Sequence, residues 1–130
     1  MKPIFLFISF TLFFFNLFPQ QSKIDSLQNL IKNSSDKIEI AGLQTQKGFV
    51  LRDNDAFRES VIAFNAALEI YTQLNDEINV ASTFHNIGNV YWRFSDYKKA
   101  LENYNKSLEI RKKLNLEIDI ASIYNNMGLV

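Results

Sequence analysis

Residues 77–116, EINVASTFHNIGNVYWRFSDYKKALENYNKSLEIRKKLNL, decide the fold of this chain, because they echo a stretch forty residues earlier. Laid without a gap over residues 37–76, KIEIAGLQTQKGFVLRDNDAFRESVIAFNAALEIYTQLND, they repeat Ile38 at Ile78, Ala41 at Ala81, Gly48 at Gly88, Val50 at Val90 and Asn65 at Asn105. The matches continue at Leu68/Leu108, Glu69/Glu109, Ile70/Ile110, Leu74/Leu114 and Asn75/Asn115, with Phe57/Tyr97 and Phe64/Tyr104 as conservative pairs. A third copy begins at residue 117. Glu117-Ile118 and Ala121-Ser122 return Glu77-Ile78 and Ala81-Ser82, and Tyr124-x-Asn126-Met127-Gly128 returns Phe84-x-Asn86-Ile87-Gly88. A register kept this long marks an internal repeat, whose units bury their apolar sides by stacking on one another.

Each unit reads as two helices. In residues 77–116 the first covers about 78–94, with Ile78, Ala81, Phe84, Ile87, Gly88 and Tyr91 at helical spacing. The second covers about 97–114, with Tyr97, Ala100, Leu101, Tyr104, Leu108 and Ile110 on its apolar side. Ser95-Asp96 separates them, and Ser95 is expected to cap the second helix; Asp55 takes that part in the copy before. Asn75-Asp76 and Asn115 mark the joints between copies.

This pattern resembles the tetratricopeptide repeat: an aromatic, then Leu-Gly, then Tyr, then a small residue and a second aromatic. The middle copy supplies Phe84, Ile87-Gly88, Tyr91, Ala100 and Tyr104, and the third Tyr124 and Met127-Gly128. The first copy is worn, with Gln44, Lys47-Gly48, Leu51, Ser60 and Phe64. The resemblance implies an all-α fold, a right-handed α-solenoid of antiparallel helix pairs, with repeats at 37–76 and 77–116 and the first helix of another at 117–130. It assigns Gly48, Gly88, Gly128 and Ala100 to close helix approach, and Phe64, Tyr91 and Tyr104 to filling the space between helices. The period exceeds the usual ~34 residues, and Thr72 and Lys112 stand where a proline ordinarily ends the second helix. In this the chain is similar to the longer variety found in kinesin light chain and in bacterial sensor and regulator proteins.

Outward from the repeats, Ser22–Asn33 offers a short amphipathic helix with Ile24, Leu27, Leu30 and Ile31 on one side, capped by Ser22, so residues 22–36 are expected to close the first repeat. Before it, Lys2 is followed by an apolar run that holds Phe5, Phe7, Phe10, Phe13, Phe14, Phe15 and Phe18 and stops at Pro19-Gln20-Gln21. This is a signal-peptide pattern over residues 1–21, cut near residues 18–22. The apolar run is short of the ~20 residues that span a bilayer, and the alternative is an uncleaved N-terminal anchor. At the other end, Val130 falls within a first helix that has no partner helix after it, which implies a fragment of a longer protein.

Composition narrows the chemistry. Lys plus Arg number 14 and Asp plus Glu number 14 in 130 residues, which gives no basic stripe for nucleic acid and no polybasic membrane surface. Membrane association is expected only through the N-terminal segment or through regions beyond Val130. With one histidine, no cysteine, no glycine-rich phosphate loop and no metal-spaced His/Asp/Glu cluster, neither an enzyme nor a cofactor or metal site is expected. Glu109 and Lys113 read as a helix-surface pair.

In the family the first helices line a concave face, which places Thr45-Gln46, His85-Asn86 and Asn125-Asn126 toward a groove. An amide recurs at Gln46, Asn86 and Asn126. Such a column either bonds the backbone of an extended peptide or ties neighbouring helices together. Farther along lie Phe49, Arg52, Asn89, Trp92 and Arg93; the arginines suit a ligand carboxylate, and Trp92 reads either as a packing residue or as an aromatic anchor. Phe84 and Tyr124 read as core. The expected partner is therefore a protein or extended peptide. The chain as a whole resembles the exported, periplasmic N-terminal region of repeat-containing sensor histidine kinases or regulators. The alternative is a structural repeat protein that self-associates through its last helix.

Overall fold

A computed structural model describes the backbone of residues 4–128 and the side chains of residues 19–116 and 121–128. The readings made on residues 1–18 and on Val130 lie outside the described side chains. Among the described residues six helices follow in order: α1 (Ile4–Asn33), α2 (Lys37–Asp53), α3 (Phe57–Gln73), α4 (Glu77–Arg93), α5 (Tyr97–Lys113) and α6 (Glu117–Met127). The fold is all-α. Each helix packs on the next one in sequence, in antiparallel adjacent pairs.

The helices from α2 onward start at 37, 57, 77, 97 and 117, so the forty-residue unit divides into two halves of equal length. The cause is one turn used four times. Asp55, Asn75, Ser95 and Asn115 all have positive φ, between 55° and 62°. At the first of these turns the Ala56 amide donates to the Leu51 carbonyl (2.9 Å) and the Asp55 amide to the Arg52 carbonyl (3.1 Å). The other three repeat that double bond at Tyr71/Thr72, Tyr91/Trp92 and Arg111/Lys112. This is the Schellman closure, normally completed by glycine. Here Asp and Asn, which tolerate left-handed backbone better than most residues, hold three of the four positions.

The caps therefore differ from expectation. Asp55 and Ser95 end the helix before them. The residue that opens the next helix comes one position later: Asp76 accepts from the Asn79 amide (3.1 Å) and Asp96 from the Lys99 amide (3.2 Å). Asp36 does the same for α2, accepting from the Ile38 amide. Ala56 and Leu116 occupy this slot without a side-chain cap. Ser22 lies inside α1, which runs unbroken to Asn33, and so caps nothing. Lys113 pairs with Glu77 (2.5 Å) at the start of α4 rather than with Glu109, because the antiparallel packing brings those two helix ends together.

The core is a row of small clusters, each spanning neighbouring helices. Ala41 on α2, Ala67 and Tyr71 on α3 and Val80 on α4 form one; Phe64, Ile87 and Val90 form a second; Ala100, Tyr104, Leu108 and Ile123 a third. Each fully buried aliphatic or aromatic side chain contributes about 1.5–3 kcal/mol. Two glycines set the spacing. A Cβ on Gly88 would fall 2.5 Å from the Tyr104 ring and 3.3 Å from the Ala100 carbonyl, and one on Gly48 would fall 2.8 Å from the Phe64 ring. Gly128 meets nothing closer than 3.5 Å. Tyr124, expected in the core, is half exposed beneath the Lys112 ammonium (5.5 Å), while Ile123 beside it is the fully buried residue.

Candidate functional site

The first helices of successive units place their polar side chains side by side. Arg52 from α2, Asn89, Trp92 and Arg93 from α4, Tyr104 from α5 and Asn126 from α6 line one depression of about 230 Å³. Five of these are groove candidates from the sequence. Tyr104 was assigned to packing, and it does pack, being 1% exposed. It nonetheless lines the depression.

The Tyr104 hydroxyl organises the floor. Tyr104 Oη donates to Asn89 Oδ1 (2.7 Å). The Asn126 amide nitrogen lies 3.3 Å from the same oxygen and 2.8 Å from His85 Nε2. His85 also sets its ring edge-on to Tyr104, with centroids 5.6 Å apart. Three helices are thus joined by one chain of polar contacts. The bonds leave Asn89 Nδ2 as a donor and Asn126 Oδ1 as an acceptor not used within it. Burial pushes the Tyr104 phenol up to about 12. The phenol is therefore neutral, and remains a donor, throughout the physiological range.

The recurrent amides do not share one environment. Asn126 ties α6 to α4. Gln46 and Asn125 are exposed and Asn86 is half-buried; none of the three lines the depression. The reason lies forty residues back from Asn126's own partners. In place of His85 stands Thr45, whose hydroxyl turns to the Ala41 carbonyl (2.9 Å), and in place of Asn89 stands Phe49, which has no polar atom. Asn86 therefore has no equivalent network to join.

The arginines are engaged. Arg52 Nε and Nη2 both lie 2.9 Å from Asp53 Oδ1; Arg93 Nη2 lies 3.0 Å from Asp55 Oδ1 and its Nη1 3.7 Å from Asp53 Oδ1. Arg52 also stacks over Phe49 (5.1 Å) and Arg93 over Phe57 (5.9 Å). Asp53 has no role assigned from the sequence, and Asp55 reads there only as a helix cap. The usable signal was that Asp53 and Arg93 hold the same position in successive copies, so that stacking brings opposite charges together. Among the described residues no three His, Cys, Asp or Glu side chains are grouped to hold a metal ion, and no helix is long and apolar enough to cross a membrane.

The architecture has known counterparts. A family profile described as tetratricopeptide repeat matches residues 39–113. Among solved structures, BtubC (BKLC) from P. vanneervenii is similar, with a TM-score of 0.67 at 18% identity over 88% of this chain and 50% of that one. The chain thus spans about half the length of that protein, and at this identity the likeness is one of fold. Curated proteins give no match.

Proposed function

The chain belongs to the tetratricopeptide repeat family, and on that premise we propose that its first helices form a non-catalytic groove holding an extended segment of another polypeptide. Repeats of this family are protein-interaction scaffolds. The observation that carries the reading is the convergence of Asn89, Trp92, Tyr104 and Asn126 on one depression, with an amide donor and an amide acceptor left to pair with a peptide backbone. Trp92, 37% exposed at the rim, is the anchor. An immobilised array of random-sequence peptides tests this. The full chain binds a subset, Trp92→Ala weakens that binding about thirtyfold (~2 kcal/mol), and the helical circular dichroism signal is unchanged. Equal binding by Trp92→Ala would move the site elsewhere.

The cellular setting is part of the same proposal. The apolar run before Pro19 supports export to the periplasm, and the repeats then act as the interaction or sensory front of a larger protein such as a membrane histidine kinase. Mass spectrometry of the mature N-terminus decides the first point; recovery of an intact Met1 means an anchored chain. Reading the gene past codon 130 decides the second, and a stop codon there removes the kinase.

A further inference from the structure

We propose that the groove takes the uncharged backbone of an internal peptide segment and does not select a chain-terminal carboxylate, because Asp53 and Asp55 already occupy the guanidinium groups of Arg52 and Arg93. The inference rests on the peptide-binding reading and narrows its ligand class.

Arginines in such a groove invite a carboxylate, since a guanidinium binds one with two parallel N–H bonds. Here the opening is taken from within the chain. Three guanidinium nitrogens converge on Asp53 Oδ1, two from Arg52 and one from Arg93, and Asp55 holds the remaining face of Arg93. The two cations are balanced by two anions. The backbone adds to the effect. Asp53 is the last residue of α2 and Arg93 the last of α4. Both helices therefore turn the negative end of their dipoles, roughly half an elementary charge each, toward this part of the site. An aspartate at a helix C-terminus is unfavourable by itself and gains from the arginines it meets. An incoming carboxylate must displace Asp53 or Asp55 and enter against both dipoles. A backbone amide meets no such opposition at Asn89 Nδ2 and Asn126 Oδ1, which belong to the neutral floor.

The test uses the same peptide array, each sequence made as free acid and as C-terminal amide, against the full chain and its Asp53→Asn/Asp55→Asn variant. Asn at position 55 keeps the left-handed turn, since Asn75 and Asn115 already hold equivalent turns. The two peptide forms bind the full chain within about twofold, and the variant prefers the free acid about tenfold or more. A tenfold acid preference in the unaltered chain overturns the inference while leaving peptide binding intact. If no peptide binds in either form, the proposed function fails, and acetate alone still judges the charge cluster. The Nε–H resonances of Arg52 and Arg93 stay fixed on acetate titration of the full chain and shift in the variant. Equal shifts in both, or none in either, overturn it.

Discussion

The two complete repeats carry the same glycine and fill the space over it differently. In the first, Phe64 lies across Gly48 and meets Phe49 edge-on, with centroids 5.2 Å apart at 78°. In the second, Tyr104 lies across Gly88 and its hydroxyl donates to Asn89, which stands where Phe49 stood. The buried serines also change ends. Ser60 bonds the Gly48 carbonyl (2.7 Å) in the first repeat, where the second has Ala100; Ser107 bonds the Ala81 carbonyl (2.7 Å) in the second, where the first has Ala67. One backbone therefore accepts either an apolar seal or a polar floor. Which it receives depends on two positions that must change together, since a phenol without an acceptor or an amide against a bare ring loses its bond. The first repeat carries the apolar seal, and the second supplies the polar floor of the depression.

The comparison can be broken at its shared element first. Gly88→Ala drives a methyl group into both the Tyr104 ring and the Ala100 carbonyl, and lowers stability by about 2–3 kcal/mol even after the ~1 kcal/mol helix-propensity gain. Gly48→Ala meets the Phe64 ring at 2.8 Å, a less severe approach than at Gly88, and loses less. Gly42→Ala, with nothing within 4 Å, gains about 0.5–1 kcal/mol and serves as the reference. Urea midpoints at constant m-value rank the three.

Exchanging the fillings comes next. Phe64→Tyr places a hydroxyl beside Phe49 and costs about 2 kcal/mol. Adding Phe49→Asn recovers part of that loss, so a double-mutant cycle shows coupling of about 1 kcal/mol. Strict additivity would mean that the two positions are independent. The polar filling also has a pH signature that the apolar one lacks. The Tyr104 phenol titrates near 12 in the folded chain and near 10.0 when unfolded. Its contribution, reduced by solvent screening to the order of 1–2 kcal/mol, is present below pH 10 and disappears as pH rises through about 12, because the unfolded chain ionises first. Denaturant midpoints against pH show this limb, and Tyr104→Phe flattens it.

The smaller effects concern the turns, where the two repeats also differ. Ala56→Asp supplies the cap that Asp36, Asp76 and Asp96 give to their helices and raises stability by about 1 kcal/mol. Ser95→Asn brings the third turn into line with Asn75 and Asn115 and gains about 0.5 kcal/mol. Both are read from thermal midpoints. A loss at either position would mean that the turn is held by contacts other than its own backbone bonds.

The helix pairs were legible because burial imposes a period. Gly48 over Phe64 and Gly88 over Tyr104 recur at a fixed offset, and their neighbours follow at helical spacing. The turn was misread by one residue. Ser95 and Asp55 carry cap chemistry, yet the chain uses them in left-handed backbone to end a helix and leaves capping to the next residue. Both roles draw on the same polar residue types, and only the backbone angle separates them. Arg52, Asn89, Trp92, Arg93 and Asn126 were legible as neighbouring positions, and the bonds among their polar groups were not. Arg93 read as an open cation because its partners, Asp53 and Asp55, face it only after stacking, whereas Arg52 pairs with its own neighbour in sequence. Asn126 and Asn86 read as equals, and differ because Phe49 and Asn89 beneath them differ.

The amino-acid sequence alone determined the all-helical architecture, the forty-residue unit and the glycines that lie under Phe64 and Tyr104, since these follow from local periodicity and from what fits against a ring. Only the tertiary structure decided which polar groups are spent on one another. The bonds of the Tyr104–Asn89–Asn126–His85 chain and those that hold Arg93 join residues about fifteen to forty positions apart, and their distances and angles arise from how the helices stack, which no run of neighbouring residues records.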